Sequence, residues 1–143
     1  IETLPRKIFI KETFTALKRN ELLFILLDEV VPEEEGVKVP FFGSEVTRGT
    51  GPMLFHDRLE SPILPMFITQ GTSGSFDIFI EEPLRIEKSF NFKEDMAKNI
   101  ASLNKSIESF VKRYPTQWGG WLNKRWASSF SSSSCSSAAA AEK

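Results

Sequence analysis

Residues 22–43, with the sequence LLFILLDEVVPEEEGVKVPFFG, decide the predicted fold. The apolar run at 22–27 is too short to span a membrane and is typical of a strand that is buried on both faces. It ends at Asp28, and open α/β sheets bind their ligands outside the carboxyl ends of their strands. An acidic loop follows, and a second apolar segment closes on Phe41, Phe42 and Gly43. A core strand therefore presents one carboxylate to a rim that also carries aromatic residues.

An amphipathic helix is predicted before this stretch, over about residues 7–19. Its apolar residues recur at the i, i+4, i+7 spacing of one helix face and are Ile10, Phe14 and Leu17. Basic residues occupy the last turn, where the helix dipole favours them. Asn20 then tolerates the left-handed backbone conformation that ends many helices.

The residues after Gly43 predict a loop, a helix, a hairpin and a long terminal helix. The loop is polar and glycine-rich over 43–52, and a helix over about 51–60 has Pro52 in its first turn. Two runs, at 63–69 and 75–81, predict the strands of a hairpin. The clearest helical stripe consists of Met96, Ile100, Leu103, Ile107, Phe110 and Tyr114, and Pro115 ends it. This order predicts an α/β fold with a mixed sheet flanked by helices.

The composition is that of one globular domain with ordinary charge. With 143 residues, 41% of them hydrophobic, and a net charge of −1, the chain is long enough for a core and shows no field that favours nucleic acid. Its single cysteine, Cys135, excludes an internal disulfide, and no metal-ligand spacing occurs. No stretch is apolar enough for a membrane-spanning helix. We expect residues 1–126 to belong to a single domain and 127–143, rich in serine and alanine, to be a disordered low-complexity tail.

Two titratable residues are candidates for chemistry on pattern alone. His56 is the only histidine, and a position on a helix surface is its more ordinary role. Asp28 either lines a site or simply ends a strand where the loop is polar, and the pattern does not decide between these interpretations.

The segment near the C-terminus is rich in tryptophan. It contains Trp118, Trp121 and Trp126 together with Lys124 and Arg125. Packing of the last helix is its most ordinary role. A membrane-interface belt is the second interpretation, because tryptophan prefers that depth and cations attract anionic head groups. A stacking surface for nucleic acid is the third, and the lack of a wider basic field weighs against it.

Several short motifs occur together in a defined order. They are ALKRNELLFILLDE at 16–29, GVKVPFFG at 36–43, TGP at 50–52, Pro65 within a predicted strand, and YPTQWGGWLNKRW at 114–126. This ordered set resembles the C-terminal half of the bacterial lipid A biosynthesis acyltransferases, the lauroyl and myristoyl acyltransferases of the lysophospholipid acyltransferase superfamily. The resemblance covers about residues 5–126 and implies the C-terminal half of that superfamily's fold.

The resemblance implies a membrane-associated enzyme at the cytoplasmic face of the bacterial inner membrane. Such an enzyme moves a fatty acyl chain from a thioester of acyl carrier protein or coenzyme A onto a lipid hydroxyl, and it needs no further cofactor. The family's general base is the histidine of an H-x-x-x-x-D/E motif, but the residue five positions after His56 is Ser61. We therefore expect the motif to lie upstream, in a longer protein, and this chain to be inactive alone.

The resemblance also implies roles for individual residues. Asp28 matches the acid of a P-D-x segment and is expected to support catalysis, with Leu27 in place of the usual proline. Residues expected to line the substrate-binding wall are Phe41, Phe42, Gly43, Thr50 and Gly51. Lys124 and Arg125 match basic residues of the closing motif and suit lipid phosphates or an acidic carrier protein. Trp118, Trp121 and Trp126 are expected at the membrane interface.

A non-catalytic module is the alternative hypothesis. Such a module binds a lipid or a protein partner through residues 118–126. An in-frame H-x-x-x-x-D/E upstream favours the enzyme, whereas a start codon near Ile1 favours the module. If the chain is half of a larger sheet, the strand at 22–27 has lost its neighbours and is expected to expose an edge that promotes aggregation.

Overall fold

The computed structural model describes residues 9–121, and within that range the chain forms three α-helices and two β-hairpins. The elements are α1 (Phe9–Lys18), β1 (Gly36–Phe41), β2 (Ser44–Gly49), α2 (Gly51–Leu59), β3 (Met66–Gln70), β4 (Phe76–Ile80) and α3 (Phe92–Arg113). Short 3₁₀ helices occur at Glu33–Glu35, Pro115–Gln117 and Gly119–Trp121. The predicted α/β class is confirmed, with strands that form two antiparallel hairpins.

Helix α1 ends as the sequence predicts. Asn20 has a φ of 65°, and its N–H donates to the carbonyl of Leu17 at 3.0 Å. The next N–H, of Glu21, donates to the carbonyl of Ala16 at 3.1 Å. This pair of bonds is a Schellman motif, which satisfies carbonyls that the helix end leaves open.

Strands β1 and β2 form a hairpin that closes on the two-residue turn Phe42-Gly43. Both turn residues have positive φ, 47° and 76°, as in the type I′ turns that match the twist of a hairpin. The register places Val39 opposite Val46 in the core. The prediction of a loop over 43–52 is therefore wrong for residues 44–49, which form β2. Its polar residues Thr47 and Arg48 are buried, and this hid the apolar alternation that normally identifies a strand.

Strands β3 and β4 form the predicted second hairpin. The ladder starts at Met66, directly after Pro65, because proline has no N–H to give to a ladder. One face of the hairpin packs on α3 through Phe67, whose ring stacks on Phe110 with centroids 4.2 Å apart. The opposite face is apolar and open to solvent, with exposed side chains at Met66, Ile68, Phe76, Ile78 and Ile80.

Helix α3 holds the two hairpins and α2 together. It begins after Asn91, whose side chain accepts a hydrogen bond from the N–H of Glu94. The core lies mainly between α3 and the β1–β2 hairpin and is formed by Val39, Phe41, Val46, Met53, Ile100 and Leu103. The middle of the predicted apolar stripe of α3, at Ile100 and Leu103, therefore faces the core. Helix α1 joins this layer through Phe14, whose ring meets the edge of Phe55 at 5.3 Å.

Two amide side chains bind the backbone of neighbouring extended segments. Asn99 exchanges two hydrogen bonds with the backbone of Glu87, both 2.9 Å long. Gln117 does the same with Gln70 at the end of β3, at 3.1 and 3.2 Å. Each amide takes the place of one residue of a partner strand, because it offers one donor and one acceptor side by side.

A third amide, Asn104 of α3, is buried in the core. It donates to the carbonyl of Pro40 at 3.0 Å and accepts from Nε of Arg48 at 3.1 Å. The guanidinium of Arg48 lies 4.5 Å from the ring centroid of Phe41. Asn104 therefore ties α3 to both strands of the first hairpin.

Residues 22–27 differ most from their prediction. They form neither helix nor strand and belong to neither hairpin, and no backbone–backbone hydrogen bond joins them to the rest of residues 9–121. Leu22, Phe24 and Leu26 are 85%, 65% and 78% exposed, whereas Leu27 packs against the core. The prediction of a strand buried on both faces is wrong here, because none of the described strands pairs with this segment.

Candidate functional site

Asp28 directly follows residues 22–27, and its side chain is half-buried. Its Oδ2 accepts a hydrogen bond from Nε1 of Trp118 at 3.2 Å. The two residues are 90 positions apart in the sequence. This contact joins the carboxylate that the sequence singled out to the tryptophan-rich segment.

Trp118 belongs to an aromatic cluster that we define as Phe41, Phe42, Trp118 and Trp121. The ring centroid of Trp118 lies 5.6 Å from that of Phe41 and 4.7 Å from that of Trp121, both near edge-to-face. Phe42 meets Trp118 at 6.1 Å and Trp121 at 5.5 Å. Such geometries are favourable for aromatic rings. Asp28 and the four rings of the cluster, all five of them predicted site residues, therefore lie together.

Phe42 occupies an unusual backbone conformation within this cluster. Its φ of 47° is uncommon for a bulky residue and costs on the order of 1–3 kcal/mol. The N–H of Phe42 donates to Oε1 of Glu108 at 2.7 Å. Lys112 lies one helical turn further along α3, with Nζ 3.7 Å from Oε2 of Glu108 and 5.9 Å from the ring centroid of Phe42. Helix α3 thus holds the turn and, with it, the position of the ring.

Gly120 provides the space that the indole of Trp118 occupies. A Cβ atom at this position would lie 2.1 Å from Cζ2 and 2.2 Å from Cε2 of that ring. The neighbouring Gly119 has open space, with no atom within 4 Å of the corresponding position. Only one of the two adjacent glycines is therefore required by packing.

The other predicted wall residues are divided between two places. Gly43 forms the second position of the turn, beside Phe42 of the cluster. Thr50 and Gly51 lie at the start of α2, at the opposite end of β2 from that turn. Thr50 caps α2 without a side-chain hydrogen bond, and a Cβ added at Gly51 would lie 3.8 Å from Cε2 of Phe55. The structure therefore brings Asp28, Phe41, Phe42, Trp118 and Trp121 together and leaves the T-G element outside the cluster.

The remaining predicted residues, Lys124, Arg125 and Trp126, lie outside the described residues, as does the serine- and alanine-rich segment at 127–143. Trp121 is 42% exposed and donates its Nε1 proton to the carbonyl of Pro115 at 2.9 Å. It is the most exposed residue of the cluster.

His56 has a structural partner. Its Nδ1 lies 2.9 Å from the carbonyl oxygen of Ser61, and since a carbonyl only accepts, Nδ1 carries the proton. The side chain lines a shallow groove of about 100 Å³ that also contains Asp95. That volume is well below the ~300–1,000 Å³ typical of small-molecule sites. His56 therefore caps the end of α2 locally.

Asp95 in the same groove is engaged by Ser89. The backbone N–H and then the hydroxyl of Ser89, the latter at 2.7 Å, donate to its carboxylate. Both bonds favour the charged form and hold the pKa of Asp95 below its ordinary value. This carboxylate anchors the chain before α3.

Residues 9–121 show two further features that bear on function. None of their helices is both long and apolar enough to cross a bilayer. Their His, Cys, Asp and Glu side chains form no group of three or more that could hold a metal ion.

Several residues around the cluster escaped sequence reasoning. The sequence pattern indicates charges on the surface or in a loop at three positions that in fact contact Phe41 or Phe42. These are Glu108, Lys112 and Arg48. Gly120 carried one signal, since a glycine pair between two tryptophans leaves room for an indole.

Comparison with known proteins gives one family. The family model described as bacterial lipid A biosynthesis acyltransferase matches residues 1–128, which include every described residue. A comparison with curated proteins gave no match.

Proposed function

Because the chain belongs to the bacterial lipid A biosynthesis acyltransferase family, we propose that it forms the Asp28 side of a site that transfers a fatty acyl chain from a thioester to a lipid hydroxyl. The acceptor is a lipid A precursor or a related glycolipid or lysophospholipid. The observation that carries the proposal is the hydrogen bond from Trp118 to Asp28. It places two distant parts of the motif series, the strand-end acid and the closing tryptophan segment, against each other.

The surroundings of Asp28 suit this chemistry. Phe42 and Trp121 pack on the indole that binds the carboxylate and supply partly exposed apolar rings, as an acyl chain next to a reacting hydroxyl requires. In the reaction, the acceptor oxygen attacks the thioester carbonyl, the C–S bond breaks, and the hydroxyl proton passes through a general base to the leaving thiolate. Asp28 acts in support, by orienting polar groups around the reacting hydroxyl, while a histidine serves as the base.

That histidine is supplied from outside these 143 residues, which contain no H-x-x-x-x-D/E sequence. The open run at 22–27 supports this part of the proposal. Its backbone makes no ladder bonds with the strands among residues 9–121, and Leu22, Phe24 and Leu26 are exposed. A neighbouring strand would pair with such an apolar segment and cover it. A segment that carries the histidine motif and pairs beside 22–27 would bring the base close to Asp28.

The donor is a thioester of acyl carrier protein or coenzyme A, with no further cofactor. The lipid acceptor implies work at a membrane surface, which we place at the cytoplasmic face of the bacterial inner membrane. The exposed ring of Trp121 and the open apolar face of β3–β4 support such an association. Trp126, Lys124 and Arg125 would add aromatic and cationic contacts to it.

The proposal is tested with the chain alone and with the chain supplied with an upstream polypeptide that contains the histidine motif. Acyl transfer from acyl carrier protein to a lipid A precursor should appear only in the supplied protein. There, Asp28→Asn should lower kcat by about 10²-fold, the lower end of acid–base effects. Glu34→Gln, in the exposed acidic loop, is the matched control and should leave the rate unchanged. Full-rate transfer by the 143-residue chain alone would overturn the claim that the histidine comes from elsewhere.

A further inference from the structure

We propose that Trp118 is a positioning residue that holds the Asp28 carboxylate in place through its indole N–H. This inference rests on the proposed function for the importance of Asp28, whereas the contact itself is independent of it. The sequence indicated a membrane-interface role for Trp118. In the structure its ring is half-buried, and its polar end points at Asp28.

The bond from Trp118 reaches a part of the chain that has few backbone hydrogen bonds to the described strands. The run that leads to Asp28 has no backbone hydrogen bonds to the described strands, so the main chain alone does not fix the carboxylate. Val31 is the first residue after it with a ladder-like bond, to the carbonyl of Thr47 at 3.1 Å. Trp118 adds a side-chain bond in the open interval. A bond from an N–H to a charged carboxylate is stronger than a neutral one and is directional.

Trp118 is itself held firmly enough to act as a support. Three rings surround it, those of Phe41, Phe42 and Trp121. Phe42 is fixed in turn by the bond from its N–H to Glu108 on α3. The carboxylate is thus connected through one indole and one turn to the longest helix of the described chain. Supporting shells of this kind determine whether a catalytic group keeps its geometry.

The size of the Trp118 side chain and its N–H have separable consequences. If packing alone matters, a ring of equal size without the N–H will serve as well as tryptophan. If Trp118 positions Asp28, loss of the N–H alone will matter. Replacement of Trp118 by 3-benzothienylalanine keeps the bicyclic shape and puts sulfur where the N–H was. Trp118→Phe is a second variant that removes the donor by ordinary substitution.

The first experiment uses the 143-residue chain and the ¹⁵N–¹H signals of its indoles. In Asp28→Asn, the Trp118 indole proton loses its bond to a charged acceptor, and its signal should move upfield. The Trp121 signal should stay in place, because its N–H donates to the carbonyl of Pro115. If the chemical shift of the Trp118 indole N–H is the same in Asp28→Asn as in the parent chain, the proposal is overturned, whatever the activity shows.

The second experiment measures acyl transfer by the chain supplied with the histidine-bearing polypeptide. The benzothienyl replacement at 118 should lower kcat about tenfold with KM little changed, as expected for loss of one charge-assisted bond that positions a reacting group. Tyr114→Phe, which removes a hydroxyl from an aromatic residue outside the cluster, is the control and should leave kcat unchanged.

The outcomes separate this inference from the proposed function. If Asp28→Asn lowers kcat and the benzothienyl replacement does not, the positioning role is wrong and the proposed role of Asp28 stands. If neither change lowers kcat, both are wrong. If both lower kcat and the indole signal responds to Asp28→Asn, Trp118 positions the carboxylate.

Discussion

Gly120→Ala is the perturbation whose effect follows most directly from the structure. The added Cβ would lie 2.1 Å from Cζ2 of Trp118, more than an ångström short of the ordinary contact that begins near 3.4 Å. Either the indole or the chain at 120 must therefore move. A movement of the indole by that amount breaks its bond to Asp28, which is already 3.2 Å long.

The expected cost is a loss of about 1–3 kcal/mol in the free energy of unfolding, the usual range for overpacking of a tight site. Gly119→Ala is the matched control, since its Cβ enters open space. Glycine-to-alanine changes at unstrained positions stabilise by about 0.4–1 kcal/mol, because they reduce the entropy of the unfolded chain. The two adjacent glycines are therefore expected to respond with opposite signs.

Urea unfolding followed by far-ultraviolet circular dichroism measures both free energies by linear extrapolation. The indole ¹⁵N–¹H spectrum of the same samples reports whether Trp118 has moved. If Gly120→Ala and Gly119→Ala change stability equally, the packing described around Trp118 is wrong.

Three further changes test other parts of the structure. Asn104→Leu should cost about 2–5 kcal/mol in urea unfolding, because it removes the bond to Nε of the buried, charged Arg48 and the bond to the carbonyl of Pro40. Ser102→Ala on the same helix is the control, and a cost below about 1 kcal/mol contradicts the bridge through Asn104. The lowered pKa of Asp95 means that its stabilising effect is complete above the ordinary value of about 3.9 and is lost as pH falls through the lower folded value. Asp95→Asn should therefore flatten the fall in stability on acidification below a pH of about 4, and an unchanged slope contradicts the bonds from Ser89. Phe24→Ser, within the exposed run, should reduce self-association in sedimentation velocity, and an unchanged sedimentation profile contradicts an open apolar edge.

Much of the secondary structure was predictable because its signals are local. The stripe of α3, Pro52 at the start of α2 and Asn20 after α1 each act within a few residues. The β3–β4 hairpin was predictable from two apolar runs around a glycine-rich turn.

The errors in the fold arose where the environment reverses a local pattern. Arg48 is charged but buried, since Asn104 and Phe41 receive its side chain, so β2 did not resemble a strand. Leu22, Phe24 and Leu26 are apolar but exposed, since no described strand pairs with their segment. In both cases the burial of a residue depends on partners far away in the sequence.

The residues of the candidate site were more predictable from the sequence than the hydrogen bonds that join them. The resemblance selected Asp28, Phe41, Phe42 and the tryptophans, and the structure brings several of them together. The bonds that connect them span 66 positions from Phe42 to Glu108 and 90 from Asp28 to Trp118. No periodicity or spacing rule relates residues at such separations, so these roles required coordinates.

The rate of acyl transfer by Asp28→Asn tests the central claim most directly. The measurement uses saturating acyl thioester and a lipid A precursor, with the chain supplied with the histidine-bearing polypeptide and Glu34→Gln measured beside it. We predict that kcat of Asp28→Asn falls by about 10²-fold while that of Glu34→Gln matches the parent. A kcat for Asp28→Asn equal to that of Glu34→Gln, in a protein that unfolds at the same urea concentration, would contradict the account.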